Sequence, residues 1–393
     1  MSVDGLVSVV LPAHNAERTV AATLASIRAQ TYRDLEIIVV DDGSTDATAA
    51  IVRREAGKDE RIRLISTRNG GVARARNIGI AASRGAYVAP IDADDLWHPE
   101  KIARQVVAIE AGGPEMAFVY TFYRRIDEAD RLLYSADPWD FSGHVFLRML
   151  LLNFIGNGSS LLIRRAPLEE VGGYEPELHR QGAQGCEDYL IQLLLASRWK
   201  VGVVPEYLTG YRLTPGAMSE DQVRMERSNL LLLEQIRMRF PDIPADVMAV
   251  AEASVRARLA VVHATCQYRF ARSAIEFGKA LRLSPHVALL IAGLGIRGKA
   301  ARLARKAFGW PPAAQGEPRT GFLDLPPDRP GPRPATHPLM RWLEAVSGRE
   351  RALSGMKPVR TPDAAHPAPA PAMVRPDAAP AGREPDTPAA QVC

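Results

Sequence analysis

Three cysteines in 393 residues, at positions 186, 266 and 393, are too few and too scattered for a disulfide framework. None belongs to a C-x-x-C pair, so paired-cysteine metal sites are excluded and a reducing compartment is expected. No uninterrupted apolar run reaches the ~18 residues that a membrane-crossing helix needs. The opening Met1-Ser2-Val3-Asp4 has no basic n-region and no leader-length apolar core, so a cytoplasmic rather than secreted protein is expected. Basic stretches without interleaved aromatics make nucleic acid a poor partner. The eight histidines show no metal-ligand spacing.

With 47% hydrophobic residues, the chain can bury a sizeable core. Its net charge of +4 is unevenly spread. Residues 1–219 carry 24 basic and 28 acidic side chains, whereas residues 220–310 carry 15 and 8. The last 83 residues hold 18 of the 30 prolines. Three regions follow: an α/β unit over 1–219, a basic helical region over 220–310, and a Pro/Ala-rich tail over 311–393. The tail cannot bury enough apolar area to offset its ordering entropy and is expected to be disordered. One island, Pro338 to Leu353, carries Leu339, Met340, Trp342, Leu343 and Val346 and is expected to fold as a helix on a partner protein.

Strand and helix signals alternate through the first 120 residues. Strands are expected at Val7–Leu11, Leu35–Val40, Arg61–Ser66 and Tyr87–Ile91. Helices are expected from Glu17, from Ser44-Thr45-Asp46 and over Val72–Ala82, with Pro99 at the first turn of a fourth. This order predicts a mostly parallel sheet covered on both faces. Further strands are expected around Phe118–Tyr123 and Ser159–Ile163, a helix over Glu187–Ser197, and a helical hairpin over Arg258–Pro285.

Ile91-Asp92-Ala93-Asp94-Asp95 places three carboxylates in four residues where a buried strand ends. Carboxylates packed this densely call for a positive partner, and a hard divalent cation carrying a phosphorylated substrate supplies one. Three more polar clusters follow strand ends: Pro12-Ala13-His14-Asn15-Ala16-Glu17, Asp41-Asp42-Gly43-Ser44-Thr45-Asp46, and Asn69-Gly70-Gly71 running on to Arg76-Asn77-Ile78-Gly79. Each alone reads as a turn, a cap or a hinge. In a parallel sheet all four share one edge, where ligands of open α/β sheets collect.

This ordered set resembles the family 2 glycosyltransferases, inverting enzymes of the GT-A fold. Asn157–Tyr174, Gly185-Cys186-Glu187-Asp188 and Tyr211-Arg212 extend the likeness to about residue 219. The resemblance implies a nucleotide-diphosphate sugar donor, bound by Pro12, Asn15, Glu17, Asp42, Arg76 and Asp92. It implies Mg2+ or Mn2+ on Asp94 with Asp92, Asp188 as general base with Glu187 as rival, and Tyr211 and Arg212 on the acceptor side. The acceptor is expected to be a glycan or a lipid-linked glycan. Leu213-Thr214-Pro215 stands where many relatives carry a histidine, so no metal ligand is expected from that loop. The motif and membrane helices of processive members are missing, which points to single-sugar addition.

A nucleotidyltransferase would want a glycine-rich loop after the first strand, where this chain has Pro12-Ala13-His14-Asn15. A scaffold whose helical region and tail bind partners is the non-enzymatic alternative. Gly293-Leu294-Gly295-Ile296-Arg297-Gly298 matches the dinucleotide fingerprint but lies in helical sequence, without the βαβ unit that fingerprint needs. Asn157-Gly158-Ser159 is a glycosylation triplet without meaning in a cytoplasmic chain. The apolar run Val287–Ile296, within the acid-free basic stretch 277–316, is expected to lie on anionic lipid as part of a peripheral contact through 277–310.

Overall fold

Strands β1 (Val7–Ala13) and β2 (Leu35–Asp42) are buried at every residue. Their near-continuous Val, Ile and Leu content suits strands with helices on both faces. In the computed structural model, which describes residues 5–183, 185–214, 221–295, 320–330 and 340–353, β1 pairs in parallel with β2 and with β4 (Tyr87–Pro90). On the far side β2 pairs in parallel with β3 (Ile62–Thr67). Helices α1 (Val20–Arg28), α2 (Thr48–Ala56) and α3 (Val72–Ala82) make the crossovers. All four strands therefore end at one edge, as their alternation with helices predicts.

Beyond β4 the sheet changes direction. β8 (Leu161–Arg164) runs antiparallel to both β4 and β6 (Met116–Ile126), while β9 (Lys200–Arg212) runs parallel to β6. β5 (Leu96–Trp97) closes the far edge against β9, and β7 (Leu132–Ser135) pairs with β6. The spatial order is β3-β2-β1-β4-β8-β6-β9-β5. The cluster Asp92–Asp95 thus lies in the link between β4 and β5, at the reversal.

Several boundaries differ from expectation. α1 begins at Val20 and α2 at Thr48 because residues 14–17 and 44–48 hydrogen-bond to each other instead of to helix turns. α4 (Lys101–Ala111) takes Glu100 as its N-cap, which leaves Pro99 outside the helix. Gly79, on α3, is a packing residue. A Cβ there would sit 2.5 Å from Val10 Cγ1 and 3.3 Å from Val40 Cγ2, so only glycine lets α3 lie this close to β1 and β2.

Short helices α5 (Phe146–Leu151), α6 (Arg165–Glu170) and α7 (Glu177–Arg180) precede α8 (Glu187–Ala196). Then come α9 (Gln222–Arg239), α10 (Ala245–Thr265), α11 (Phe270–Leu283) and a helical stretch over 285–295, α12. Leu232, Ile236 and Ala251 from this region share one apolar cluster with Phe118 of β6 and Leu190 of α8. α10 and α11 form the expected hairpin. Val287 and Ala288 are fully buried in that cluster while Leu289 and Leu294 are exposed, so the apolar run is divided between core and surface; its last residue, Ile296, lies outside the described residues. Gly293 and Gly295 sit in α12, where a Cβ on Gly295 would meet Val261 Cγ1 at 2.6 Å. Of the apparent fingerprint's described glycines, Gly295 is a helix-packing residue and Gly293 borders open space. No described helix is long and apolar enough to cross a membrane.

Two stretches of the Pro-rich segment pack on the body, against the expectation of disorder. Phe322 is buried with Leu96 and Ile126. α13 (Met340–Leu353) buries Leu343 and Val346 in the main cluster, and Glu350 accepts hydrogen bonds from Arg148 N and Nε, both at 2.8 Å. The island expected to need a partner protein folds on α5 of its own chain. Buried leucine and valine with a two-point ion pair offset the ordering entropy that composition alone left unopposed. The rest of 311–393 lies outside the described residues.

Candidate active site

All eleven residues singled out as candidates line one cleft of about 860 Å³ at the carboxyl edge of the sheet. The turn after β2 forms one wall. Asp42 is buried, and its two oxygens accept the N–H groups of Gly70 at 2.9 Å and Gly71 at 2.8 Å. Gly43 (φ +73°) leaves no room for a Cβ, which would meet Asn69 N at 2.7 Å. Asp42 therefore fixes the glycine loop first, and keeps only its remaining lone pairs for a ligand.

Asn15 and Glu17 each commit one side-chain oxygen to the neighbouring loop. Asn15 Oδ1 accepts from Thr45 N at 2.9 Å, and Glu17 Oε2 accepts from Ala47 N at 3.0 Å. Both lace the loop after β1 to the loop after β2, at Pro12's end of the strand.

Arg76 is 2% exposed and joins the two acidic motifs. Its Nη2 donates to Asp92 Oδ1 at 2.6 Å and its Nη1 to Glu187 Oε1 at 2.8 Å, with the Tyr174 ring 5.1 Å away. Asn77, next to it on α3, clasps the Gly172-Gly173-Tyr174 turn through both amide atoms, at 2.7 Å and 2.9 Å. Arg76 is thus a brace between carboxylates, not a free donor-binding cation.

Asp188 opens α8 beside Glu187. Burial, then the negative charge of Glu187, pushes its carboxyl up to about 7, against the pull of Arg76. Glu187 has its partner in Arg76; Asp188 accepts only from Tyr189 N, at 2.7 Å, among the described hydrogen bonds. Two neighbouring carboxylates are thereby given different environments.

Asp95 and Ser159 support the acidic loop from beneath, and the sequence did not mark them as site residues. Ser159 Oγ accepts from Asp92 N at 3.0 Å and donates to Asp95 Oδ2 at 2.5 Å, while Asp95 Oδ1 accepts from Arg212 N at 3.0 Å. Asp95 is wholly buried, and burial with the charges of Asp94 and Asp92 holds its carboxyl well above the usual range. The triplet Asn157-Gly158-Ser159, dismissed as a modification signal, was the available clue. Ser159→Ala should destabilise the fold by about 1–3 kcal/mol, because it strips an acceptor from a backbone N–H and a donor from a buried carboxyl. The denaturant midpoint should fall with an unchanged slope.

Arg212 is buried and acts as a second brace, donating from Nε to the Asp94 carbonyl at 2.6 Å and from Nη1 to the Asp127 carbonyl at 2.9 Å. Tyr211 lies edge-on to Tyr123, with ring centroids 5.8 Å apart.

Unlike Asp92, Asp94 has no cationic hydrogen-bond partner on its carboxylate among the described residues. Thr214 Oγ1, at 3.4 Å, is its only described side-chain donor, and burial with the Asp92 charge pushes its carboxyl up to about 6. Among the described residues no three His, Cys, Asp or Glu side chains converge on one metal position. Asp94 and Asp92 offer hard oxygens but too few to enclose an ion. That donor set fits a cation such as Mg2+, which is usually held by one or two carboxylates plus substrate phosphates and water.

Residues 8–172 match the model of the family described as glycosyl transferase family 2. That match takes in the strands and loops that build the donor side of the cleft. An uncharacterized glycosyltransferase of Rickettsia bellii is 29% identical over 210 residues, covering 53% of this chain and 29% of that protein. One from Nostoc is 31% identical over 214 residues, covering 53% and 64%. The chain spans about a third of the length of the curated relatives first matched, 29% to 34%. S. aureus TarS 1-349 in complex with UDP-GlcNAc shares the fold at a TM-score of 0.52 and 16% identity, covering 73% of this chain and 83% of that one. The mannosyltransferase PcManGT of Pyrobaculum calidifontis, with GDP-Man and Mn2+, aligns at 0.50 and 20% identity, covering 78% and 83%. The family 2 region thus includes β1 to β4, β6 and β8; Glu187, Asp188 and the second brace, Arg212, lie beyond it.

Proposed function

We propose that the protein transfers a sugar from a nucleoside-diphosphate donor to an acceptor hydroxyl of a glycan or lipid-linked glycan, inverting the anomeric centre in one displacement. The observation that carries this reading is the division of labour in the cleft. Among the described residues Asp188 has no cationic hydrogen-bond partner and its carboxyl is pushed up to about 7, while Glu187 and Asp92 are tied together by Arg76. Asp188 takes the acceptor hydroxyl's proton as its oxygen bonds to the anomeric carbon and the bond to the diphosphate oxygen breaks. No covalent sugar–enzyme intermediate is needed. Asp42 and the loop it fixes border the nucleotide, and Arg76 keeps Asp92 and the α8 terminus at a set separation. A divalent cation on Asp94 and Asp92 would neutralise charge on the departing diphosphate. UDP-GlcNAc in TarS and GDP-Man with Mn2+ in PcManGT are in keeping with a nucleotide-sugar donor.

Calorimetric titration with a panel of nucleoside diphosphates, with and without Mn2+, tests this. One nucleotide should bind in a metal-dependent manner, and Asp94→Ala should weaken that binding at least tenfold, the range seen on disturbing metal-site carboxylates. Absence of binding by every nucleotide would overturn the transferase reading and favour a scaffold.

A further inference from the structure

The outer side of α11 has a chemistry of its own. Phe277, Ala280 and Leu281 face the main apolar cluster. The opposite stripe carries Arg272, Ile275, Lys279 and Arg282, spaced three or four residues apart and, by that spacing, on one helix face. Ile275 is 58% exposed, Phe270 at the helix start 67%, and Tyr268 in the preceding turn 69%; Leu289 on α12 is 59% exposed. Tyr268 holds φ +54°, a left-handed conformation that bulky residues rarely adopt, so the turn keeps an aromatic ring outward against local preference. The exposed residues of 266–295 include Arg269, Arg272, Lys279 and Arg282 and no acid. Glu276, the one acid in that stretch, is half-buried and paired with Arg256 at 2.7 Å and Lys279 at 2.9 Å.

We propose that this face docks on an anionic lipid bilayer, with Tyr268, Phe270, Ile275 and Leu289 entering the headgroup layer and the four basic side chains meeting lipid phosphates. Large apolar groups interleaved with charges of one sign match the interfacial pattern of a helix lying on a membrane. A second copy of the chain would set basic stripe against basic stripe, which disfavours self-pairing through this face. The surface is centred on α11 and shares only Leu289 with the run Val287–Ile296, whose first two residues are turned into the core.

Sedimentation of the full-length protein with vesicles tests the proposal, and it reads binding without turnover, so a chain lacking transferase activity gives the same answer. Vesicles of phosphatidylcholine mixed with phosphatidylglycerol should carry the protein down, and pure phosphatidylcholine vesicles should not. Phe270→Ser with Ile275→Ser should weaken binding at least tenfold. Arg272→Ala with Arg282→Ala should weaken it about fivefold per charge removed and flatten its salt dependence. These side chains are exposed, so circular dichroism and nucleotide affinity should not change. Failure to sediment with anionic vesicles, or equal binding by both variants, would overturn it. Self-association lost in the variants, without vesicle binding, would instead assign the face to a second copy.

Discussion

Asp188→Asn should lower kcat about 10²–10⁴-fold, the usual contribution of a general base, while nucleoside-diphosphate affinity stays within about twofold of wild type by calorimetry. The amide keeps the shape and the hydrogen bond from Tyr189 but cannot take a proton. The pH dependence adds a second signature. A base works only when unprotonated, and the Asp188 carboxyl is pushed up to about 7. The rate should therefore rise with pH below about 7 and level off above it, and this rise should vanish in Asp188→Asn. Glu187→Gln separates the rival bases. It removes the neighbouring negative charge that raises the Asp188 carboxyl and frees Arg76, so the rise should move to lower pH with the plateau retained. If Glu187→Gln removed the rise and Asp188→Asn kept it, the assignment would be reversed.

Arg76→Met should destabilise the fold by about 3–5 kcal/mol, the range for breaking a buried ion pair from one side. The Glu187 side chain, 11% exposed, carries most of this effect, and Asp92, 33% exposed to the cleft, carries less. Urea unfolding followed by fluorescence would read the shift. Arg76→Lys should not restore stability, because a single ammonium cannot replace a planar fork that reaches two carboxylates at once. A loss below about 1 kcal/mol, the worth of an exposed pair, would mean that the bridge is solvated in solution.

The parallel half of the fold was legible because each strand is a buried apolar run and each connection carries its own turn chemistry. The common edge of the four clusters followed from that alternation. What sequence could not separate was holding a ligand from holding the loop that holds a ligand. Asn15, Glu17, Arg76 and Arg212 are expected as contacts to donor or acceptor, and each also commits polar atoms to loops, carboxylates or carbonyls of the same chain. Motif residues that touch across a sheet edge look the same in sequence as residues that touch a substrate. Ser159 and Asp95 were missed for a related reason: 64 residues separate them, and one hydroxyl connects them. The α13 helix was hidden by its proline-rich surroundings, since composition averages over a window and docking depends on two or three side chains.

That helix has a practical consequence for anyone trimming the gene. A fragment ended at residue 219 or 310, where composition changes, would lack Leu343, Val346 and Glu350, baring the apolar side of α5 and stranding Arg148. The strand-free stretch after α5 leads directly into Gly156, Asn157 and Gly158 at the cleft wall. Shortened versions should therefore aggregate more readily and handle nucleotide less well than the intact chain. The shortest fragment suited to expression ends after residue 353, well past the point where the family signature stops.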